Sequence, residues 1–315
     1  MLRNMPHSVT WETAPGSRDF FRSLISEARK RAPVTVAVCW PCSECALEGA
    51  VGASQAQLTE NLLIGRKQEI RAIADKLGLN LSDSEIVDVA TEDEAAEKSV
   101  ELCRDGRTQA LMKGSLHTDL LMRHVLHHEA GLRRARRVSH VFVLEAPLYD
   151  RPLLISDGVI NISPTLEEKI DIVSNAIDLA HAISIPEPKV AILSAIETVN
   201  PKIASTVDAA ALCKMADRSQ ITGAILDGPL AFDTAVSEEA ALTKRLKSPV
   251  AGKADILIAP DLESGNMLAK ELEYLGGARM AGVVVGARVP IVLTSRADSA
   301  ESRVASCAIA SFLVC

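Results

Sequence analysis

The chain has 315 residues, 48% of them hydrophobic and 3% aromatic, and its formal net charge is −7. That length allows two lobes or one large α/β unit, with Ala, Val, Ile and Leu filling the core. The acidic balance excludes broad electrostatic attraction to nucleic acid or to an anionic membrane. Seven cysteines, an odd number, favour free thiols in a reducing compartment, so we expect a cytoplasmic protein.

The N-terminal stretch has no pattern of a membrane segment. Glu12, Pro15, Arg18 and Asp19 interrupt it, and no uncharged apolar run in the chain reaches the length of a bilayer span. We therefore expect neither an ordinary signal peptide nor a membrane partner.

Short apolar runs alternate with amphipathic stretches from Pro33 onward, which predicts repeated βα units in a parallel sheet. In the first part of the chain the predicted strands are 34–39, 62–64, 86–89 and 109–112. The predicted helices that follow them are 44–55, 66–77, 91–103 and 118–128.

The pattern changes in the middle of the chain. Two strand-like runs, 138–144 and 152–156, are joined by a connection too short for a helical crossover, which predicts an antiparallel pair. Helices then alternate with strands again, at 165–184, 190–193, 201–216, 221–226, 237–246, 254–258 and 265–275. The last strands, 281–285 and 291–293, lead into a helix from about residue 298.

An inserted second lobe explains this change of pattern. We expect residues 1–137 plus 283–315 to form one α/β lobe and residues 138–282 to form the other. Ligands of such folds bind in clefts at the ends of the strands, so the cleft between the lobes is the expected site.

The segment 289–299 is the most informative part of the sequence. An apolar strand delivers the hydroxyl of Ser295, the guanidinium of Arg296 and the carboxylate of Asp298 at its carboxyl end. Asp298 or Ser299 also suits the cap of the next helix, whose free N–H groups attract an anion. The alternative is a well-capped helix with an arginine on the surface.

Two other strand ends repeat this design. Gly265 and Asn266 follow one strand, and Lys113 and Gly114 follow another. Gly lets a ligand approach the backbone and Asn can orient a phosphate or carbonyl, although a simple turn with a cap is the favoured explanation for the Gly-Asn pair. Neither P-loop spacing nor G-x-G-x-x-G is present, so no nicotinamide cradle is predicted.

Several other clusters have ordinary explanations. Cys39, Cys42 and Cys45 form C-x-x-C-x-x-C without a fourth cysteine nearby, so an iron–sulfur cluster is not expected. Cys42 and Cys307 are conceivable nucleophiles, but buried structural thiols are favoured. His124 lies one helical turn from a second histidine without H-E-x-x-H, which favours a solvated face over a metal site. The arginines at 133, 134, 136 and 137 fit a solvated turn better than a polyphosphate site.

Four segments together resemble one known family. They are D-G-P-L-A-F-D at 227–233, S-P-V-A-G-K-A-D at 248–255, the stretch from P-D to G-N-M at 260–267, and the stretch from V-P to S-R-A-D-S at 289–299. This signature is similar to that of the phosphate acetyltransferase and phosphate butyryltransferase family, and the similarity runs from about Pro33 onward.

The resemblance implies two three-layer α/β/α lobes like those of isocitrate and isopropylmalate dehydrogenases, a homodimer and an active site in the interlobe cleft. It implies reversible transfer of an acyl group between coenzyme A and phosphate, by direct attack in a ternary complex. Coenzyme A is then a substrate, and no metal or permanently bound cofactor is implied.

The resemblance also assigns roles to residues. Ser295 is expected to hydrogen-bond the thiol or the developing oxyanion, and Arg296 to neutralise phosphate charge. In the acetyltransferase branch a carboxylate base lies seven residues after the motif serine, where this chain has Ser302, so Asp298 is the substitute we expect. Other expected substrate-binding residues are Arg123, Lys113, Gly114, Gly265, Asn266, Lys270 and Ser302 itself.

Two alternatives stay open at this point. A metal- and NAD-dependent dehydrogenase on the same scaffold would need convergent ligands and a cofactor cradle. A non-catalytic coenzyme A-binding homologue is suggested by the missing family carboxylate.

Overall fold

A computed structural model describes residues 19–82, 84–295 and 298–314. The strands are β1 Val34–Cys39, β2 Thr59–Gly65, β3 Glu85–Asp88, β4 Ala110–Lys113, β5 Ser139–Glu145, β6 Leu153–Ser156, β7 Lys189–Leu193, β8 Ile225–Leu230, β9 Ile256–Ile258, β10 Arg279–Val285 and β11 Ile291–Val292. The helices are α1 Phe20–Ala28, α2 Glu44–Gln55, α3 Lys67–Leu77, α4 Glu92–Arg104, α5 Thr118–Val125, α6 Leu166–Ala182, α7 Ala204–Asp217, α8 Phe232–Val236, α9 Glu238–Thr243, α10 Leu262–Tyr274 and α11 Ala300–Leu313.

All these strands form one mixed sheet in the order β3-β2-β1-β4-β11-β10-β5-β6-β9-β7-β8. The strands β1 to β4 and β11 run parallel to one another. Antiparallel pairing of β10 with β11 and β5, and of β5 with β6, reverses the direction in the middle of the sheet. Because β4 and β11 are parallel neighbours, their carboxyl ends lie side by side at one edge.

Helices cover both faces of the first part of the sheet because its strands are apolar on both sides. Val36 and Val38 of β1 belong to a buried cluster with residues of α2 and α11. Ala37 and Cys39 of the same strand belong to a second cluster with residues of α4 and α5. This two-sided burial is what a continuous apolar run predicts for a parallel strand.

Most predicted elements are present. The predicted bounds of β1 and α2 agree with the structure, and the antiparallel pair predicted in the middle of the chain is β5 with β6. The strand predicted at 221–226 is wrong, because β8 occupies Ile225–Leu230 and includes Gly228 and Pro229. A Gly-Pro pair is typical of a turn, which is why the strand was predicted to end earlier. However, β8 is the last strand of the sheet, and an edge strand tolerates proline.

The division into lobes remains a prediction. The strand β10 runs across the predicted return point at 283, and the sheet continues through it.

Among the described residues, no helix has the length and apolarity that crossing a bilayer requires.

Candidate active site

The predicted motif lies where β11 ends. The Ser295 loop, residues 293–299, connects β11 to α11, although Arg296 and the residue after it lie outside the described residues. The Ser299 side chain caps α11 by accepting a hydrogen bond from the N–H of Ser302 at 3.1 Å. The first turn of α11 therefore begins beside the loop, where the N-terminal end of a helix favours an anion.

Ser295 and Asp298 hold each other in a short turn. The N–H of Ser295 donates to Asp298 Oδ2 at 2.7 Å, and the N–H of Asp298 donates to the Ser295 carbonyl at 3.2 Å. Asp298 is buried, whereas Ser295 is exposed. The backbone of Ser295 is therefore held in place while its side chain lies at the surface.

Lys270 connects α10 to this loop. Its Nζ lies 3.4 Å from Asp298 Oδ1 and 2.8 Å from Glu273 Oε2. Burial lowers the pKa of Lys270, but the hydrogen bond to Glu273 and the charge of Asp298 raise it by more, so the net shift is upward. The ammonium group is thus charged at neutral pH beside the carboxylate of Asp298.

Two basic side chains are buried behind the loop. Lys113, at the end of β4, is 2% exposed, and Arg303, in the first turn of α11, is 1% exposed. Lys113 Nζ donates to the carbonyls of Gly114 at 3.3 Å and Thr294 at 3.4 Å. Arg303 Nη1 donates to Thr294 Oγ1 at 2.6 Å, and its Nη2 donates to the Ser295 carbonyl at 2.9 Å.

The Gly-Asn pair meets the end of β6. Asn266 Nδ2 donates to the carbonyl of Gly158 at 2.9 Å. A Cβ at Gly265 would lie 2.6 Å from the carbonyl oxygen of Asp157, so this glycine makes room for the approach of another backbone. Since Lys270 follows one turn later on α10, that helix bridges the end of β6 and the Ser295 loop.

The predicted start of this helix is wrong by about one turn. It begins at Leu262, because the Asp261 side chain accepts a hydrogen bond from the N–H of Ser264 at 2.8 Å and caps the helix there. Gly265 and Asn266 therefore lie inside the helix, where Asn266 contacts β6 with its side chain.

Comparisons with known proteins agree with one another. The family model described as phosphate acetyl/butaryl transferase matches residues 94–311. A phosphate acetyltransferase of Rhizobium meliloti is 55% identical over 300 residues, which are 95% of this chain and 94% of that protein. A phosphate butyryltransferase of Clostridium acetobutylicum is 44% identical over 293 residues, 93% of this chain and 97% of that protein.

A solved structure shows the same fold. The branched-chain phosphotransacylase from Enterococcus faecalis V583 matches with a TM-score of 0.78 and 33% identity, over 89% of this chain and 99% of that one. The chain belongs to the phosphate acetyl/butyryl transferase family. The predicted family, the dehydrogenase-like α/β fold class and the acyltransferase class of enzyme are thereby confirmed.

Two predicted site residues, Arg123 and Ser302, have no described contact with a substrate-binding group of the Ser295 loop. Arg123 is exposed on α5, in electrostatic contact with Asp93 of α4, and the described contacts do not join it to the Ser295 loop. The hydroxyl of Ser302 lies 3.2 Å from that of Ser299, so it reinforces the cap of α11.

Gly114 stands at a close approach between strand ends. A Cβ there would collide with the carbonyl of Trp40, which follows β1, so glycine lets the ends of β1 and β4 come together. The N–H of Gly114 donates to the carbonyl of Cys39 at 2.8 Å.

The two candidate cysteine nucleophiles are protonated at neutral pH. Burial raises the pKa of Cys307 to about 12 and that of Cys42 to about 11. Cys45 donates its S–H to the carbonyl of Asp298 at 3.0 Å, so it supports the Ser295 loop. In the described ranges, no group of three or more His, Cys, Asp or Glu side chains is arranged to hold a metal ion.

Sequence reasoning missed His140 and Arg303. His140 of β5 is fully buried under the loop, with Nε2 3.2 Å from the Leu293 carbonyl and its ring 4.4 Å from the Phe142 ring, centroid to centroid. Nothing in the sequence around His140 signals this position. Arg303 could have been noticed, because a cation in the first turn of a helix opposes the helix dipole.

A large cavity of the protein lies elsewhere. It has a volume of about 790 Å³ and is lined by Gln109, Pro290 and Arg288, among other residues. Gln109 and Pro290 precede β4 and β11, whereas the Ser295 loop follows β11. This cavity therefore opens at the opposite edge of the sheet from the candidate site.

Proposed function

We propose that this enzyme transfers a short acyl group, acetyl, propionyl or butyryl, reversibly between coenzyme A and inorganic phosphate. The observation that carries the proposal is the cluster of Ser295, Asp298, Lys270 and the buried Lys113 at the ends of β4 and β11. Relatives named as acetyltransferases and butyryltransferases match almost the whole chain, which supports both acyl groups.

The proposed step is direct attack within a ternary complex. The sulfur of coenzyme A forms a bond to the acyl carbon, the bond from that carbon to the phosphate oxygen breaks, and phosphate leaves with the bonding electrons. The thiol has a pKa of about 8.5, so a base must accept its proton. In the reverse direction a phosphate oxygen attacks the thioester and the thiolate leaves.

Asp298 is the proposed base, as a substitute for the carboxylate that Ser302 replaces. Its Oδ1 lies 3.4 Å from Lys270 Nζ and its Oδ2 accepts the Ser295 N–H, so the carboxylate is held beside Ser295. The Ser295 hydroxyl then stabilises the sulfur or the oxyanion, and Arg296 neutralises phosphate charge.

Lys113 adds a second positive charge behind the loop, and Lys270 adds a third beside it. Such charges suit a substrate that carries phosphate. Arg123, Gly114, Gly265, Asn266 and Ser302 complete the proposed binding set, although their described contacts are with the protein itself.

The remaining features of the proposal follow the family. Coenzyme A acts as a substrate, and no cofactor is bound permanently. The enzyme is a cytoplasmic homodimer whose two lobes, 1–137 plus 283–315 and 138–282, face each other across the cleft. The contact between Lys270 and Asp298 crosses from one proposed lobe to the other, which supports a site between them.

An acyl-CoA panel tests the function. Purified protein is mixed with acetyl-, propionyl- or butyryl-CoA, with and without phosphate, and thiol release is followed. Phosphate-dependent release of coenzyme A is expected, and the relative rates identify the acyl group. Binding of coenzyme A without turnover at any chain length would instead identify a non-catalytic homologue.

A further inference from the structure

The environment of Arg303 differs from that of an ordinary structural arginine. Its side chain is buried, yet its described hydrogen bonds go to neutral oxygens: the Thr294 hydroxyl and the carbonyls of Ser295 and Lys113. Within the described ranges, no carboxylate forms an ion pair with it. Its Nε is buried without a hydrogen-bond partner among the described residues.

Burial and helix position both make this placement costly. A charge removed from water is destabilising unless it is paired, and a cation in the first turn of α11 meets the positive end of the helix dipole. The packing is nevertheless built around the side chain, because a Cβ at Gly49 of α2 would collide with Arg303. Glycine at that position leaves the space that the arginine stem fills.

The contacts of Arg303 are directed at the Ser295 loop. Its guanidinium holds the carbonyl of Ser295 at 2.9 Å, while Asp298 holds the N–H of the same residue at 2.7 Å. Both backbone groups of Ser295 are therefore fixed, one from each side. The second donor of Arg303 holds Thr294.

We propose that Arg303 is a positioning residue for the acyl transfer, which fixes the backbone of Ser295 and lends the loop a buried positive charge that favours phosphate. This inference rests on the proposed function. The other charged groups around this position include Lys113 of β4, Lys270 of α10, and the two carboxylates that pair with Lys270, those of Asp298 and Glu273.

Two substitutions of Arg303 distinguish the positioning of the Ser295 backbone from the effect of the positive charge. Arg303→Met removes the charge and the hydrogen bonds but keeps a long apolar stem. It should lower kcat/KM for phosphate by about 10²-fold, the effect of moving a reacting group by about 1 Å, and should raise KM for phosphate. Arg303→Lys keeps the charge but lacks the forked donors, so it should recover the KM for phosphate and only part of kcat.

The matched control is Arg151→Met, which removes an arginine that pairs with Asp255 and whose described contacts do not include the Ser295 loop. It should leave both constants unchanged. Loss of folded protein lowers kcat without raising KM for phosphate, so the change in KM marks the proposed role.

The wild-type enzyme is measured first. If it releases no coenzyme A with any acyl-CoA, the proposed function fails, whatever Arg303 does. If the wild type is active and folded Arg303→Met has a wild-type kcat/KM for phosphate, the role of Arg303 is refuted. Should Arg303→Met fail to fold, Arg303→Lys decides alone, since wild-type kcat in that variant contradicts the fixing of Ser295.

Discussion

Lys169 and Arg303 are both buried cations, but their surroundings differ. Lys169 of α6 is bonded to Asp208 of α7 at 2.7 Å, and the described contacts of this pair do not include the Ser295 loop. Arg303 donates to neutral oxygens of that loop. The first arrangement neutralises a buried charge between two helices, whereas the second leaves a positive charge directed at a loop.

Burial alone therefore does not indicate what a charged residue does. A paired buried cation contributes mainly to helix packing, and its loss should be seen in unfolding. A buried cation without a carboxylate partner creates a field at the nearest surface, and its loss should be seen in catalysis. Changes in the two regions should therefore have separate effects.

The largest effect is expected from Asp298→Asn. The amide oxygen still accepts the Ser295 N–H, but the base is lost, so kcat should fall on the order of 10²- to 10⁴-fold. The matched control is Glu273→Gln, which removes the other carboxylate partner of Lys270 and should change kcat far less. Equal losses in the two variants would assign the effect to Lys270 and not to a base.

Ser295→Ala should come next. It removes the hydroxyl but not the backbone bonds that shape the loop, so kcat should fall on the order of 10²- to 10³-fold. The free energy of unfolding, measured with urea, should stay near that of the wild type because the side chain is exposed. A wild-type rate in this variant would remove Ser295 from the mechanism.

A third prediction concerns His140, which is buried beneath the Ser295 loop. Burial, opposed by its bond to Leu293 and aided by the charge of Lys270, lowers the pKa of His140 from 6.5 to about 4. The unfolded chain binds a proton at this histidine at higher pH than the folded chain does. The free energy of unfolding is therefore unaffected by protonation of His140 above pH 6.5 and decreases as the pH falls from 6.5 toward 4. The loss should reach about 3 kcal/mol.

The measurement is urea unfolding of the wild type and His140→Asn between pH 7 and pH 4. The variant should be less stable at pH 7, since packing with Phe142 is lost, but its stability should fall less on acidification. Replacing the exposed His128 by Asn is the control, and the same slope in all three proteins would contradict the prediction.

The smallest effect is expected from Lys169→Met. Asp208 is a quarter exposed, so leaving it unpaired should cost about 2 kcal/mol of unfolding free energy, below the value for a fully buried pair. Values of kcat and KM should not change, because the described contacts of the pair do not include the Ser295 loop. A change in KM for phosphate would contradict the prediction that Lys169, unlike Arg303, affects only stability.

Local signals predicted most of the secondary structure. The bounds of β1 and α2 follow from an apolar run and from Ser43, whose side chain caps the helix. The helices α1 and α8 were not predicted. The first packs against the C-terminal helix through contacts that sequence periodicity does not reveal, and the second is short.

The family, the α/β class and the position of Ser295 and Asp298 at the end of a strand could be predicted from the amino-acid sequence. These depend on short motifs and on the two-residue and 3.6-residue periods of the chain. His140 and Arg303 were not predicted, and the fold brings them to that motif; it also supplies the contact of the predicted Lys113 with Thr294. Their partners are many residues distant in the chain or on another element, and strand order, which local periodicity does not encode, decides which of them meet.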